Sequence, residues 1–289
     1  MSAKHIDLSN ADYHAHPAIG SSMLEDFWRS RRLYHGRYVA KTILRNPPSD
    51  AMILGTLLHL RILEPQRYES ELAPMQSAVA PDGKKWFRRQ GSEHERWWAE
   101  YEATCEGKII ADAETRAKVE AMAAAVMANE DARLIIERRG EPEYSIFWTD
   151  SETKLDLKCR VDWMGPYPID LKTTRDPSPK GYSRQFVELG YARKRAHYMA
   201  GIFAMTGEHL PFMHIAVRNE PPFEVGVYEI DDTGRDGVGL GESQWRGLLR
   251  ELATCIEKND WRNAWEKGVT TLSLPNYAFM ENQYHLEEI

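Results

Sequence analysis

The feature that most constrains this chain is the run KCRVDWMGPYPIDLKTT at residues 158–174. Within its IDLKTT end, apolar residues alternate with the charged residues Asp170 and Lys172, and this period of two predicts a β-strand. The two charged side chains therefore project from one face, and Asp162 precedes them by a short turn. Two carboxylates and a lysine can hold a hard divalent cation and stabilise charge on a phosphoryl group. The alternative is an edge strand whose outer face carries exposed charge.

A second candidate ligand lies in the apolar segment MILGTLLHLRIL at residues 52–63, which predicts a helix. Gly55 and His59 are four residues apart and share one helix face. Glycine lowers helix stability by roughly 1 kcal/mol relative to alanine, so we expect another backbone to approach closely at Gly55. Neutral imidazole is a common metal ligand, but a histidine that is hydrogen-bonded within the core is the alternative.

Taken in order, these features resemble the RecB-like branch of the PD-(D/E)xK nucleases. Members carry a G-x-x-x-H helix, then an Asp, then D-x-K, then a helix containing Gln or Tyr. Over roughly residues 10–205 the chain also resembles the RecE-type (exodeoxyribonuclease VIII-like) exonuclease domain of phage recombination systems. Three segments carry this second resemblance: YHAHPAIGSSMLEDF (13–27), GTLLHLRILEPQRY (55–68) and EYSIFWTDSETKLDLKCRVDW (143–163). The resemblance implies an α/β fold, with a PD-(D/E)xK restriction-endonuclease-like core whose central mixed β-sheet is flanked by helices.

The resemblance also implies roles for the candidate residues. The predicted metal ligands are His59, Asp162, Asp170 and the backbone carbonyl of Leu171. The predicted catalytic residues are Asp162, Asp170, Lys172 and Glu143. Lys172 would orient the attacking water or stabilise the charged transition state. Glu143 opens a predicted strand where the family often has an acidic residue, although a strand-start carboxylate without function is the alternative. The N,O donor set suits Mg²⁺ and tolerates Mn²⁺, and two ions per site are expected.

Four residues are candidates for DNA contact. Arg160 lies two positions before Asp162 on the same predicted strand face and could touch a phosphate. Tyr198 lies on the following predicted helix, where the family usually pairs a Gln with a Tyr four residues later. Here position 194 is Lys, so either Lys194 contacts the DNA backbone or Tyr191, one turn earlier, substitutes. Ordinary helix packing is the alternative for Tyr198.

Composition bounds the remaining possibilities. The net charge of −7 does not indicate a general affinity for nucleic acid. DNA binding would therefore need a local basic surface such as KKWFRR (84–89) or RKR (193–195). Each of these is otherwise a solvated charged face.

The three cysteines form no CxxC pair, which argues against a zinc or iron–sulfur site. The sequence shows no signal region and no stretch of transmembrane length, so we expect a cytoplasmic protein, bacterial or phage-encoded.

Residues 1–289 are expected to form one domain, with a nuclease core at about 50–230 and a C-terminal helical segment at about 236–289. Helices are predicted at about 21–38, 50–64, 93–105, 113–138, 179–205 (with a break near Gly190) and 239–267. Strands are predicted at 143–149, 153–164, 167–173, 214–219 and 223–230, and the first three should form an antiparallel meander. Asp50 is the expected N-cap of the helix that carries His59, and Pro65 follows its end. Trp261, Trp265, Tyr277 and Phe279 are available to dock the irregular C-terminal end.

The function implied by the resemblance is a Mg²⁺-dependent exodeoxyribonuclease that acts on double-stranded DNA ends. Such enzymes degrade one strand from its 5′ end and leave 3′ single strands for a RecT-like annealing protein. The resemblance also implies a ring-shaped homo-oligomer, with a tetramer expected and a trimer as the alternative. Rival hypotheses are an endonuclease or single-strand nuclease of the same fold, and a non-catalytic DNA-end-binding recombination scaffold.

Overall fold

The protein forms one six-stranded mixed sheet with helices on both faces. The computed structural model describes residues 3–73, 92–105, 107–234, 239–269 and 271–275. The KKWFRR segment, Tyr277 and Phe279 lie outside these residues. The strands are Lys4–His5 (β1), Glu141–Thr149 (β2), Asp156–Met164 (β3), Ile169–Thr174 (β4), Met213–Arg218 (β5) and Val225–Glu229 (β6). Their order in the sheet follows the chain, from β1 to β6.

The pairing of the strands confirms the predicted meander. β2, β3 and β4 are antiparallel neighbours, whereas β4 and β5 are parallel and are joined by a helical crossover. β1 and β6 add antiparallel edges. The five predicted strands are present with small shifts at their ends, and β1 was not predicted.

The helices surround this sheet. They are Asn10–Ala15 (α1), Ser21–Arg29 (α2), Arg31–Tyr34 (α3), Asp50–Leu63 (α4), Pro65–Glu71 (α5), Ser92–Thr104 (α6), Ala113–Ala128 (α7), Glu130–Ile136 (α8), Pro179–Glu188 (α9), Tyr191–Thr206 (α10) and Leu240–Lys258 (α11). A π-helical turn follows α3 at His35–Val39, and a 3₁₀ turn lies at Ala264–Glu266. Within the described part of the chain, every helix is too short or too polar to cross a membrane.

Several helix boundaries differ from the predictions. The helix expected at 113–138 is two helices, because Asn129 leaves the helical conformation and its side chain caps α8 at Ala132. The last long helix ends at Lys258 instead of 267, because Asn259 adopts a left-handed backbone with φ of 48°. Ser49, not Asp50, caps α4 by accepting a hydrogen bond from the Met52 amide. The predicted break near Gly190 is confirmed, since this residue separates α9 from α10 with φ of 68°.

One further predicted helix differs. The helix expected at 21–38 is interrupted at Ser30, whose hydroxyl caps α3 by accepting from the Leu33 amide. The prediction that Pro65 follows the end of the helix carrying His59 is confirmed. Pro65 also opens α5, where its missing N–H costs nothing.

Each face of the sheet has its own core. On one face, α2, α10 and α11 cover β2 and β3, with Trp148, Cys159 and Trp245 among the buried residues. On the other face, α4 and α7 cover β4 and β5, with Leu57 and Met122 completely buried. The sheet is therefore held between two helical layers, which places its centre out of contact with solvent.

Gly201 allows α10 to lie directly on the sheet. A Cβ at this position would be 2.7 Å from the Cys159 Sγ and 2.8 Å from the Trp148 ring. We expect Gly201→Ala to lower the free energy of unfolding by about 1–3 kcal/mol, because the added methyl group overpacks a closed core. Denaturant unfolding measures this.

Gly55 provides the matched control. A Cβ built at Gly55 meets nothing within 4 Å, so the prediction of a close backbone approach there was wrong. Gly55→Ala should leave stability unchanged or raise it by up to about 1 kcal/mol, as an unhindered helix position does. Equal losses of stability in the two variants would contradict the packing role assigned to Gly201.

Candidate active site

The predicted face alternation along β4 is confirmed. Ile169 and Leu171 are buried in the core beneath α4 and α7. Asp170 and Lys172 therefore point to the opposite face, toward α9 and α10, and the Lys172 Nζ lies 2.7 Å from the Asp170 Oδ2. The Asp170 side chain is only 4% exposed, so this carboxylate is held inside the protein by its ion partners.

Asp162 joins the site where β3 and β4 separate. In the described register these strands pair at Trp163 and Ile169, and beyond that point the Asp162 carboxylate takes the place of a backbone acceptor. Its Oδ2 accepts a hydrogen bond of 2.9 Å from the Leu171 amide. The Leu171 carbonyl accepts from the His59 Nε2 at 2.6 Å, so α4 delivers the imidazole to the same point of β4. The structure thus brings together three of the four predicted metal ligands, His59, Asp162 and the Leu171 carbonyl. The fourth, Asp170, is connected to them through the Lys172 Nζ, which lies 2.7 Å from the Asp170 Oδ2 and 3.9 Å from the Asp162 Oδ2.

Glu143 completes a compact group of donors. Pro142 pairs with Trp163 and Tyr144 with Val161, which places Glu143 opposite Asp162 on the neighbouring strand. Its φ of 49° is unusual for a residue with a Cβ and costs of order 1 kcal/mol; such backbone strain is concentrated at functional sites. Ligand atoms of His59, Glu143 and Asp162 all lie within 4.8 Å of one another.

This group fits a divalent metal ion. One imidazole nitrogen and two carboxylate oxygens form the N,O donor set that Mg²⁺, and more readily Mn²⁺, accepts. The Leu171 carbonyl oxygen, 2.6 Å from the His59 Nε2, is a fourth donor at the same place. The Asp170 Oδ1 is buried and has no hydrogen-bond partner, and its ion-pair contact is with the Lys194 Nζ, 3.6 Å away.

Asp170 lies in a strongly positive environment. Burial by itself would raise the pKa of this carboxyl, but Lys172, Lys194 and His214 outweigh it and hold the pKa below its ordinary value. Lys194, on α10, places its Nζ 3.6 Å from the Asp170 Oδ1. Burial would lower the pKa of Lys194, yet the two neighbouring aspartates raise it, so the ammonium form is favoured.

His214 is a site residue that the sequence analysis missed. It lies beside Asp170 in the parallel pairing of β4 with β5, with its Nδ1 3.5 Å from the Asp170 Oδ2. The Tyr182 hydroxyl is 3.2 Å from the same nitrogen, and burial lowers the pKa of His214 to about 4. The neutral form of this imidazole is therefore favoured, so the positive charge beside Asp170 comes from Lys172 and Lys194. The sequence does show a histidine within an apolar strand. It cannot show that this histidine lies beside Asp170, because that depends on the parallel register of β4 and β5.

The remaining DNA-contact candidates occupy different environments. Arg160 donates to the Ser145 hydroxyl at 2.8 Å and to the Leu8 carbonyl at 2.9 Å, and its Nη1 lies 3.9 Å from the Glu143 Oε2. Its guanidinium therefore lies between the N-terminal segment and Glu143. Tyr198 is buried against Phe212, with the Lys194 Nζ 5.3 Å from its ring centroid.

Tyr191 lies near Lys172. The Lys172 Nζ lies 5.9 Å from its ring centroid. The roles of Arg160, Tyr191, Lys194 and Tyr198 in DNA contact stay predictions.

The RKR segment is not an exposed basic surface. Arg193 is buried and pairs with Glu25 at 2.8 Å, whereas Arg195 pairs with Asp232 at 3.4 Å. Both arginines thus link α10 to neighbouring parts of the fold. Lys194 is the residue of this segment that faces the proposed site.

Glu143 gives the metal-free protein a characteristic pH dependence. Burial, and then the neighbouring Asp162, raise the pKa of Glu143 to about 7. The protonated form is favoured in the folded state, so folding loses stability as pH rises from about 4.5, the ordinary value, to about 7. A change of one pKa unit corresponds to about 1.4 kcal/mol of stability, and water around the 33% exposed Glu143 side chain weakens this effect.

Glu143→Gln should therefore stabilise the metal-free protein by about 1–2 kcal/mol at pH 8 and by almost nothing at pH 4.5. Denaturant unfolding in EDTA at the two pH values measures the difference. Glu141→Gln, an exposed position on the same strand, is the control and should have no effect at either pH. A stabilisation by Glu143→Gln that does not change with pH would contradict the raised pKa.

Comparisons with known proteins identify a family and a similar fold. A family model described as "PDDEXK-like domain of unknown function (DUF3799)" matches residues 21–267. The fold is similar to the crystal structure of a proposed exonuclease from Eubacterium rectale, with a TM-score of 0.56 and 12% sequence identity over 95% of this chain and 98% of that chain. At this identity the likeness concerns the fold, and it confirms the predicted α/β class. No curated protein matches the chain.

Proposed function

The chain belongs to the DUF3799 family of PDDEXK-like domains, and we propose that it is a Mg²⁺-dependent exodeoxyribonuclease that degrades one strand of duplex DNA from its 5′ end. The observation that carries the proposal is the convergence of His59, Glu143 and Asp162 beside the Asp170–Lys172 pair. A structural ion pair alone would not require a metal-ligand group with a strained backbone next to it. The proposed exonuclease from Eubacterium rectale adds support at the level of the fold.

Each residue has a chemical task in this proposal. A bound divalent ion supplies Lewis-acid activation of a water molecule and of a phosphoryl oxygen. His59, Asp162, Asp170 and Glu143 would hold that ion, and the Leu171 carbonyl would give it a further oxygen. Lys172, fixed by Asp170 at 2.7 Å, orients the water or stabilises the charge that develops on the phosphoryl group.

The finer details rest on the resemblance to RecE-type enzymes. We propose that the product is a duplex with 3′ single-stranded overhangs, used by a RecT-like annealing protein in recombination in the cytoplasm. A ring-shaped homo-oligomer, tetrameric or trimeric, would explain how one molecule stays on its DNA. Mn²⁺ should replace Mg²⁺ in the reaction, since the imidazole ligand tolerates both.

Digestion of end-labelled DNA tests the proposal. Linear duplex DNA labelled at the 5′ or the 3′ end is incubated with the protein in Mg²⁺ and in EDTA, beside covalently closed circles. We expect early release of the 5′ label in Mg²⁺, retention of the 3′ label and intact circles.

Other outcomes favour the rival functions. Nicking of the closed circles would favour an endonuclease of the same fold, since an exonuclease cannot start on them. Binding of duplex ends without hydrolysis, in Mg²⁺ and in Mn²⁺, would favour a non-catalytic scaffold. Hydrolysis that is equally fast in EDTA would overturn the metal-dependent mechanism.

A further inference from the structure

His214 is a buried histidine whose polar contacts lie on one side of its ring. The residue is 2% exposed, and its imidazole packs against the rings of Tyr182, Phe186 and Phe212. Its Nδ1 lies 3.5 Å from the Asp170 Oδ2 and 3.2 Å from the Tyr182 hydroxyl. Its Nε2 is buried and has no hydrogen-bond partner among the described residues. The two ring nitrogens therefore have different surroundings.

These surroundings favour the proton of the neutral imidazole on Nδ1. A proton on Nε2 would be a buried N–H without an acceptor, and the lone pair of Nδ1 would then face the charged Asp170 carboxylate. A proton on Nδ1 instead directs the N–H dipole at this carboxylate. The competing arrangement, in which the Tyr182 hydroxyl donates to Nδ1, requires the proton on Nε2.

The Nδ1–H form would hold one side of the Asp170 carboxylate. Its Oδ2 then faces the Lys172 ammonium at 2.7 Å and the His214 N–H at 3.5 Å, from the adjacent strands β4 and β5. Its Oδ1 has no hydrogen bond and faces the Lys194 Nζ at 3.6 Å. With Lys172 alone at Oδ2, the carboxylate could turn about that contact, so the second group fixes its plane.

We propose that His214 is a positioning residue, whose Nδ1–H tautomer holds Asp170 in the orientation that binds the divalent ion. The inference rests on the proposed metal-dependent function and adds to it a residue outside the ligand set. His214 acts through Asp170 and touches neither the ion nor the DNA. Its removal should therefore weaken the binding of the ion more than it slows the reaction once the ion is bound.

NMR of the metal-free protein tests the tautomer without DNA. Long-range proton–nitrogen correlation spectra of isotope-labelled histidines distinguish Nδ1–H from Nε2–H, and the signals that are missing from His214→Asn identify this ring. We expect the Nδ1–H form in the unmodified protein and in Tyr182→Phe, because the carboxylate and not the phenol directs the proton. The Nε2–H form in the unmodified protein would overturn the inference.

Mn²⁺ titration followed by electron paramagnetic resonance of the free ion tests the positioning. His214→Leu removes the N–H, whereas His214→Asn places an amide N–H near the position of Nδ1. We expect His214→Leu to weaken Mn²⁺ binding about tenfold and His214→Asn to restore most of the affinity, on the scale of one hydrogen bond to a charged group. At saturating Mn²⁺, the single-turnover rate of His214→Leu should approach the unmodified rate. His209→Leu, which changes an exposed histidine after α10, is the control and should alter neither quantity.

Unchanged Mn²⁺ affinity in folded His214→Leu would overturn the inference, and so would an equal loss in His214→Asn. Thermal unfolding shows that each variant is folded. Should His214→Leu not fold, His214→Gln replaces it in the comparison, since its amide lies nearer the position of Nε2. Failure of the proposed function gives a different result, in which the tautomer and the Mn²⁺ affinities are as expected but the unmodified protein hydrolyses no DNA.

Discussion

Asp170→Asn is expected to lower the single-turnover rate of DNA hydrolysis by about 10³-fold or more, the scale on which a preorganised charge contributes to catalysis. The amide keeps the size of the side chain but removes the negative charge that holds Lys172 at 2.7 Å and attracts Lys194 at 3.6 Å. Both ammonium groups then repel each other and leave their positions. The metal ion also loses the charge of one proposed ligand, so the lower rate combines misplaced ammonium groups with weaker metal binding.

The experiment compares Asp170→Asn with Asp7→Asn, which changes an exposed aspartate near the start of the chain. Rapid-quench assays on linear duplex DNA give the rate, and thermal unfolding shows what fraction of each protein is folded. The control should keep full activity. If folded Asp170→Asn hydrolyses DNA within tenfold of the unmodified rate, Asp170 is not part of the catalytic group.

The part of the site that follows a local pattern could be predicted from the sequence. The alternation of IDLKTT requires Asp170 and Lys172 to share one face of β4, and the structure has them in contact. The same reasoning places His59 on one face of α4, but its meeting with the Leu171 carbonyl depends on how α4 packs on β4. Periodicity cannot predict that contact; the prediction that His59 belongs to the site came from the resemblance to a known family.

The rest depends on contacts between segments that are distant in the chain. His214 becomes a neighbour of Asp170 because β4 and β5 are parallel and in one particular register. Arg160 shares a strand with Asp162, yet its long side chain turns toward Leu8 and Tyr13 in the N-terminal segment. Strand periodicity assigns a face to a side chain, but it does not say where the end of an arginine goes.

Some misjudged boundaries did carry a local signal. Asn129 is followed by Glu130 and Asp131, which is the pattern of a helix N-cap with acidic residues in the first turn. Because the residues on both sides of Asn129 have high helix propensity, α7 and α8 were predicted as one continuous helix. Ser49 precedes Asp50, and both residue types cap helices equally well, so the sequence alone could not choose between them.

Lys172→Met is expected to lower the hydrolysis rate by about 10²–10³-fold while the metal ion remains bound. Lys172 is not a ligand; its Nζ lies 2.7 Å from the Asp170 Oδ2 and 3.9 Å from the Asp162 Oδ2. Methionine preserves the aliphatic stem and removes the charge that would face the water and the phosphoryl group. With one ammonium fewer beside two aspartates, affinity for Mn²⁺ should be equal to or higher than in the unmodified protein.

Parallel measurements of Mn²⁺ affinity and single-turnover rate separate the two roles that a lysine in this position can have. Lys180→Met, which changes an exposed lysine on α9, is the control and should alter neither quantity. A folded Lys172→Met that loses Mn²⁺ affinity together with activity would mean that the lysine mainly holds Asp162 and Asp170 in place. Retained affinity with lost rate would assign it to the reaction itself, because an ammonium group that only organised the ligands could not be removed without loosening the ion.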